Sequence, residues 1–336
     1  MLAPLFVLAW CFVVGACVGS FLNVVAWRLP LGMSLSWPRS HCPRCKKGIL
    51  FRDNVPVMGW LWLRGRCRSC GQSISARYPL VEFITGAVFA LLAYPELTRG
   101  GANLPLAAAG LREGQGEFYS FEGLLCLWLY HATLAALLIV TALFERDQAR
   151  VPRRFVIVGA LLGLLPLALS WPMLLQPLAV VGFDAPIEQR WLTSLAVGAG
   201  GLLCGAALGW LANLGAKGGQ GFPYSGCGYV MLALTLVGAF LGWQAALTTA
   251  CVASVLLLGL SLAGLATARN LAAHPATITA AIAMAHILAW RTLSELAWPG
   301  TYESRRSIGL TVAVIIVACL ARAAVERLRR RRLAAC

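Results

Sequence analysis

Long apolar runs separated by short polar segments make up most of the chain. A transmembrane helix needs about 20 predominantly apolar residues. Runs of this kind lie near positions 3–26, 79–98, 123–144, 155–175, 191–214, 229–247, 249–267, 276–293 and 308–321. The run at 276–293 is the weakest, because it contains His286. The pattern predicts an all-α polytopic membrane protein with about nine transmembrane helices.

The composition excludes the water-soluble classes. Hydrophobic residues make up 59% of the chain and charged residues 12%, and the mean hydropathy is +0.75. A soluble globular chain is about 45–50% apolar and about 25% charged. This chain has too few charges to cover a water-exposed surface, which also excludes a disordered chain and a disulfide-rich secreted scaffold. Segment 1–21 lacks a basic start and a small-residue cleavage site, so it indicates a retained span rather than a signal peptide.

The charges are strongly unbalanced: 28 Lys and Arg stand against 13 Asp and Glu, a net charge of +15. In a soluble protein such an excess would indicate nucleic-acid binding. Here the basic residues cluster between the apolar runs, as cytoplasmic loops of membrane proteins do. We therefore expect anionic lipid as a partner and no nucleic acid. The clusters at 28–78, at 145–154 and in the C-terminal tail predict that these segments are cytoplasmic and that the N-terminus is outside.

Four cysteines in segment 28–78 have the spacing of a metal site. Cys42-Pro-Arg-Cys45 and Cys67-Arg-Ser-Cys70 form two C-x-x-C pairs, and two such pairs can supply a closed tetrahedral shell of four thiolates. Two disulfides fit poorly with a reducing cytoplasmic side. An iron–sulfur cluster would have other spacings. We predict a structural zinc ion held by all four cysteines, because four protein ligands leave no open position for catalysis.

The motifs around these cysteines resemble those of bacterial prepilin leader peptidases, also called type IV prepilin peptidases. The resemblance rests on the order, spacing and flanking residues of Gly19–Pro30, the CPRC pair, Arg52–Pro56, Gly65–Gly71 and Ile74–Glu82. The later segment Leu236–Gln244 is similar to the peptidase domain of the same family. The resemblance implies an intramembrane aspartic endopeptidase that removes leader peptides from prepilin-like substrates at the cytoplasmic membrane face. Many members also methylate the new amino terminus with S-adenosylmethionine.

The sequence departs from the family at both catalytic aspartate positions. Counting back seven residues from Pro152 places Glu145 at the first position, and the Gly-x-Gly-Asp motif of the family reads Gly226-Cys-Gly-Tyr229 here. Met231 replaces a nearby lysine of the family. Tyr229 cannot act as a carboxylate base, since the reference pKa of tyrosine is about 10. Asp147 is a candidate substitute, although residues two apart on a regular helix face different ways.

Because the second carboxylate is missing, the sequence is compatible with two functions. The chain either cleaves prepilin-like leaders or is a degenerate pseudo-peptidase that binds prepilin-like substrates or assembly proteins of a pilus or secretion system. S-adenosylmethionine is expected only if methyltransferase activity is retained. The resemblance implies a bacterial inner-membrane location.

The predicted organisation is a first helix at 1–27, a cytoplasmic zinc-binding domain at 28–78, a second helix with an outside loop at 79–122, a peptidase-like membrane domain at 123–267 and divergent C-terminal helices with a basic tail at 268–336.

Overall fold

A computed structural model describes residues 2–104, 121–168, 187–214, 228–263, 274–295 and 305–334. In these residues the regular elements are helices, and only two isolated β-bridges occur. The chain divides into two compact units, Met1–Arg99 and Gly100–Cys336, which are described in turn.

The first unit consists of two long helices and the polar segment between them. The helices are α1 (Leu2–Arg28) and α3 (Arg77–Ala93), and α3 continues into a π-helical turn at Tyr94–Thr98. The intervening segment contains a 3-10 helix at Phe51–Asp53 and the short helix α2 at Met58–Trp62.

Small residues bring α1 and α3 into close contact. A Cβ atom added to Gly15 would lie 2.8 Å from Phe89, and one added to Gly19 would lie 2.8 Å from the backbone of Glu82. The pairing of Gly15 with Phe89 and of Gly19 with Glu82 shows that the two helices run antiparallel. Without aqueous solvent between them, membrane helices associate through such close packing of small residues.

The second unit contains seven helices in the described residues. They are α4 (Phe121–Arg146), α5 (Arg153–Ala168), α6 (Ile187–Leu214), α7 (Tyr229–Leu262), α8 (Pro275–Leu288), α9 (Trp290–Glu295) and α10 (Arg305–Ala334). Helix α7 is 34 residues long but is interrupted at Gly242, whose φ of 82° lies in the left-handed region that favours glycine.

The tightest helix contact of this unit joins α6 to α7. Gly201, Gly205 and Gly209 recur every four residues on α6 and so share one face. A Cβ added to Gly205 would lie 2.0 Å from the carbonyl oxygen of Leu234, and one added to Gly201 would lie 2.1 Å from that of Gly238. The two backbones therefore approach each other directly. The core beside them combines residues of α6, α7 and α10: Leu208, Leu234, Ala246, Leu247, Ala250, Cys251 and Ile315.

The predicted class, an all-α polytopic membrane protein, is confirmed. Six helices in the described part of the chain are long and apolar enough to cross a bilayer: Ala3–Arg28, Arg77–Thr98, Phe121–Arg146, Leu195–Ala212, Tyr229–Leu262 and Ile308–Val325. The predicted count of nine is not confirmed. Most of the predicted runs 229–247 and 249–267 falls within α7, which consists of two helices joined at Gly242. Run 276–293 gives the 14-residue helix α8 followed by α9. Run 155–175 begins in α5 and then leaves the described residues.

Candidate functional sites

The four cysteines predicted as metal ligands converge on one point. The sulfur atoms of Cys42, Cys45, Cys67 and Cys70 all lie within 4.8 Å of one another, and the Cys42 and Cys70 sulfurs are 3.8 Å apart. Four thiolates around a zinc ion at about 2.3 Å would be separated by about 3.8 Å in a regular tetrahedron. The upper limit of 4.8 Å on the sulfur–sulfur distances is slightly larger than the roughly 4 Å that we expect from a tetrahedral site. Its donors and spacing suit a tetrahedral metal ion.

The two C-x-x-C pairs sit in similar backbone turns. In the first, the Lys46 N–H donates to the Cys42 carbonyl at 2.9 Å; in the second, the Gly71 N–H donates to the Cys67 carbonyl at 2.9 Å. Lys46 and Gly71 each follow the second cysteine of their pair and have φ angles of 59° and 69°. A β-bridge closes each turn, between His41 and Gly48 and between Arg66 and Ser73. The repeated geometry aims both thiols of each pair at the same centre.

The turn geometry also favours a thiolate at Cys42. Backbone N–H groups of Cys45 and Arg44 donate to its sulfur and lower the pKa of the Cys42 thiol to about 6. A thiolate is the form that binds metal. Desolvation and the neighbouring cysteine sulfurs raise the pKa of the Cys70 thiol to about 11, so the charge favours metal binding at Cys42 and not at all four cysteines.

Contacts with neighbouring residues hold the cluster in place. The guanidinium of Arg68 donates two hydrogen bonds to the Asp53 carboxylate, at 2.8 and 2.6 Å, and holds the pKa of that carboxyl below its usual range. The backbone N–H of Val57 donates to the Glu82 carboxylate at 2.7 Å. Asp53, within the Arg52–Pro56 motif, thus contacts the second cysteine pair, and Val57, directly after the motif, contacts the start of α3.

The first predicted catalytic position, Glu145, is a buried carboxylate near the end of α4. Its Oε1 accepts a hydrogen bond from the backbone N–H of Ala276 at 2.8 Å. Its Oε2 accepts from the N–H and the hydroxyl of Thr277, at 3.0 and 3.1 Å. These two N–H groups open helix α8, which begins at Pro275 and has no hydrogen bond from the side chain of its own N-cap residue, His274.

Glu145 therefore caps α8 from another helix. The first N–H groups of a helix lack partners within the helix, and its N-terminus carries a partial positive charge that favours an anion. The imidazole of His274 is also close enough to interact electrostatically with the Glu145 carboxylate. Nothing in the sequence near Glu145 indicates this contact, although Pro275 at the first helical position is a recognisable helix-start signal.

The other two candidate catalytic residues lie near the same end of the unit but differ in surroundings. Tyr229 is the first residue of α7, and its hydroxyl donates to the carbonyl oxygen of Ala149 at 2.8 Å. Asp147 is exposed and follows the end of α4, whereas Glu145 is buried. Both carboxylates are close enough to the Tyr229 hydroxyl to act on it electrostatically. Residues 226 and 227 of the Gly-x-Gly-Tyr segment lie outside the described residues.

The fold and the cysteine cluster define the class: a polytopic helical membrane protein with a four-cysteine site that can hold a metal ion. The family model for the Bacterial Peptidase A24 N-terminal domain matches residues 13–95, which include the cluster. The chain is 34% identical over 230 residues to the type 4 prepilin-like proteins leader peptide-processing enzyme of Escherichia coli O78:H11, covering 60% of this chain and 75% of that protein. The chain belongs to the prepilin leader peptidase family, as the motif resemblance predicted.

Two further relatives carry the name prepilin leader peptidase/N-methyltransferase. The protein of Aeromonas hydrophila is 32% identical over 257 residues, with 69% of this chain and 78% of the relative covered. The protein of Myxococcus xanthus is 34% identical over 244 residues, or 73% of this chain, and this chain covers 58% of its length. No solved structure matches the chain.

Proposed function

We propose that this protein acts on prepilin-like leader segments at the cytoplasmic face of the bacterial inner membrane. The observation that carries the proposal is the convergence of Glu145, Tyr229 and the N-terminus of α8 at one end of the second unit. Glu145 and Tyr229 occupy the positions that correspond to the two catalytic aspartates of the family. A relative named as a leader peptide-processing enzyme and one named prepilin leader peptidase/N-methyltransferase align with this chain over most of their length.

The first candidate function is leader cleavage. An aspartic mechanism needs one carboxylate to activate water and a second, protonated carboxyl to polarise the scissile carbonyl. Glu145 would supply the first group. Tyr229 would donate a hydrogen bond to the developing oxyanion, which requires its hydroxyl to leave the Ala149 carbonyl. Asp147 would take part in the reaction only if the end of α4 changed shape.

A second candidate function, leader binding without cleavage, is favoured by the hydrogen bonds of Glu145. Both carboxylate oxygens are already occupied by donors at the start of α8. A carboxylate whose two oxygens are engaged in this way can bind and activate water only in competition with these donors. Tyr229 supplies no carboxylate at the second position. In this role the protein would hold prepilin-like segments or pilus and secretion assembly proteins at the membrane.

We propose zinc as the ion of the four-cysteine cluster, with a structural role. Four thiolate ligands select zinc or an iron–sulfur centre over hard cations, and two C-x-x-C pairs are typical of structural zinc sites. The residues that would hold it are Cys42, Cys45, Cys67 and Cys70. The ion would stabilise a domain whose polar loops have few buried side chains.

The proposed orientation places the four-cysteine domain, the end of α4 and the C-terminus on the cytoplasmic side, with the N-terminus outside. It is supported by the positions of Lys and Arg in the sequence. The contact of Glu145 with Ala276 brings the end of α4 and the start of α8 together, as the proposed orientation requires.

A single assay distinguishes the two candidates. Purified full-length protein in lipid nanodiscs is mixed with a peptide that carries a basic leader followed by an apolar helix, and both binding and product are measured by mass spectrometry. Cleavage that is abolished by Glu145→Gln supports the first candidate. Saturable binding with no product supports the second. Absence of both contradicts the proposal. The same assay with S-adenosylmethionine tests for the methylation that is part of the relatives' names.

A further inference from the structure

The four-cysteine domain, residues 28–78, exposes a group of large apolar side chains. Phe51 on the 3-10 helix is 93% exposed, and Trp62 on α2 is 65% exposed. Leu50, directly before the 3-10 helix, and Met58 and Leu61 on α2 are also exposed. We call these five residues the apolar surface. Exposed apolar side chains grouped in this way mark a surface that contacts another protein or a membrane.

The domain holds the apolar surface in a defined conformation. The 3-10 helix and α2 pack against each other so closely that a Cβ added to Gly59 would lie 2.3 Å from the carbonyl oxygen of Asp53. The Asp53 carboxylate is in turn bound by the two hydrogen bonds from Arg68, which lies between two of the cysteine ligands. The apolar surface is therefore part of the same rigid structure as the metal-binding cluster.

The charge of the domain indicates the kind of partner. Residues 28–78 contain ten Lys and Arg and one acidic residue, Asp53. Asp53 is paired with Arg68, so it adds no free negative charge. Several of the cations lie in the chain close to the apolar surface: Lys46, Lys47, Arg52, Arg64 and Arg66. This combination of exposed apolar side chains and surrounding cations is complementary to an anionic leaflet, which offers both a hydrocarbon layer and phosphate groups.

Both ends of the domain are fixed near the membrane surface. The domain follows α1 and precedes α3, two of the helices that are long and apolar enough to span. Trp27 at the end of α1 and Tyr78 at the start of α3 are both exposed. Trp and Tyr at helix ends are typical of the headgroup layer of a bilayer. Only a short length of chain therefore separates the apolar surface from the lipid headgroups at each end of the domain.

We propose that the apolar surface docks onto the anionic cytoplasmic leaflet. Phe51, Leu50 and Trp62 enter the boundary between headgroups and acyl chains, and the neighbouring Lys and Arg bind lipid phosphates. The contact gives the metal-binding domain a fixed orientation at the membrane surface. This inference is independent of whether the protein cleaves a leader peptide, since it depends on the first unit alone.

Photocrosslinking of the full-length protein tests the proposal. The photoreactive amino acid p-benzoylphenylalanine replaces either Phe51 or Ser73, an exposed polar residue of the second cysteine turn that serves as the matched control. Each variant is reconstituted in nanodiscs of phosphatidylcholine with or without phosphatidylglycerol. Metal content is measured for every variant, so that an unfolded domain is recognised.

The expected result is a lipid adduct at position 51 that is at least several-fold more abundant than at position 73 and that falls several-fold when phosphatidylglycerol is omitted. Equal lipid adducts at the two positions, or adducts at position 51 that do not depend on the anionic lipid, would overturn the proposal. Crosslinks from position 51 only to protein would also overturn it and would identify a protein partner instead.

Discussion

The Glu145 carboxylate accepts a hydrogen bond of 2.8 Å from the backbone N–H of Ala276, 131 residues further along the chain. The bond joins the last turn of α4 to the first turn of α8. The residue that the sequence predicts at the first catalytic position of the family thus supports the C-terminal part of this chain, where the resemblance to the family motifs is weakest. Any use of Glu145 in catalysis has to compete with this contact.

Loss of the Glu145 carboxylate should destabilise the second unit. Hydrogen bonds to charged groups contribute about 1.5–3 kcal/mol, and their removal leaves two helix N–H groups unpaired. We expect Glu145→Ala to lower the free energy of unfolding by roughly 2 kcal/mol, and Glu145→Gln to cost less because one acceptor oxygen remains. Unfolding in detergent micelles with increasing denaturant measures both values.

Asp147→Ala is the control for this prediction, because Asp147 is an exposed carboxylate two residues away. It should lower the free energy of unfolding by less than Glu145→Ala does, because the hydrogen bonds from Ala276 and Thr277 go to Glu145. Hydrogen exchange at Ala276 and Thr277 should accelerate in Glu145→Ala but not in Asp147→Ala. Equal stability of the two variants would contradict a capping role for Glu145.

Removal of the Tyr229 hydroxyl should have a small effect on stability. Tyr229→Phe loses the hydrogen bond to the Ala149 carbonyl, and a neutral hydrogen bond contributes about 1 kcal/mol. If the hydroxyl only fastens α7 to the loop after α4, leader binding and any cleavage should change by less than threefold. A loss of cleavage by more than a hundredfold, with stability nearly unchanged, would instead place the hydroxyl in the reaction.

The close approach of α6 and α7 predicts that Gly205 tolerates no side chain. In Gly205→Ala the new methyl group would lie 2.0 Å from the Leu234 carbonyl oxygen, so the helices must move apart. We expect a loss of about 1–3 kcal/mol, the usual cost of overpacking. Gly200→Ala on the same helix meets nothing within 4 Å and should be neutral or slightly stabilising. Thermal unfolding of the two variants in the same detergent checks the difference, and similar midpoints would contradict the packing.

The four-cysteine cluster should bind one zinc ion per chain. Cys42→Ser removes a ligand and should reduce the zinc content of the purified protein at least severalfold. Cys17→Ser, which changes an exposed cysteine of α1, should leave the zinc content unchanged. Atomic emission spectrometry of protein purified without added metal gives both values. Iron in place of zinc, or full zinc content in Cys42→Ser, would contradict the assignment.

The part of the structure that sequence reasoning predicts well depends on local spacing. Each pair of cysteine ligands is separated by two residues, and the length of an apolar run defines a span without knowledge of its neighbours. The cluster of Cys42, Cys45, Cys67 and Cys70 and the all-helical membrane fold were therefore predictable. The position of the break in α7 was not, because Gly242 lies inside the predicted run 229–247 and not between that run and the run at 249–267.

Contacts between distant residues could not be predicted from one sequence. Nothing near Glu145 indicates that its partner is Ala276, since the pairing depends on how α4 and α8 pack. The contact of α6 with α7 is indicated in the sequence of α6, where Gly201, Gly205 and Gly209 repeat at four-residue spacing. That spacing identifies one face of α6 as an interface, but it does not identify α7 as the helix that packs on it.

The central claim is that prepilin-like leaders are engaged where Glu145 and Tyr229 lie. The most direct measurement uses a leader peptide with a photocrosslinker at the junction of its basic leader and apolar helix, bound to the full-length protein in nanodiscs. We expect crosslinks to the end of α4 and the start of α7. Unlabelled leader peptide should remove these crosslinks by competition, and a peptide of scrambled leader sequence should not form them. Equal labelling by the scrambled peptide, or competed crosslinks that map away from both helix ends, would contradict it.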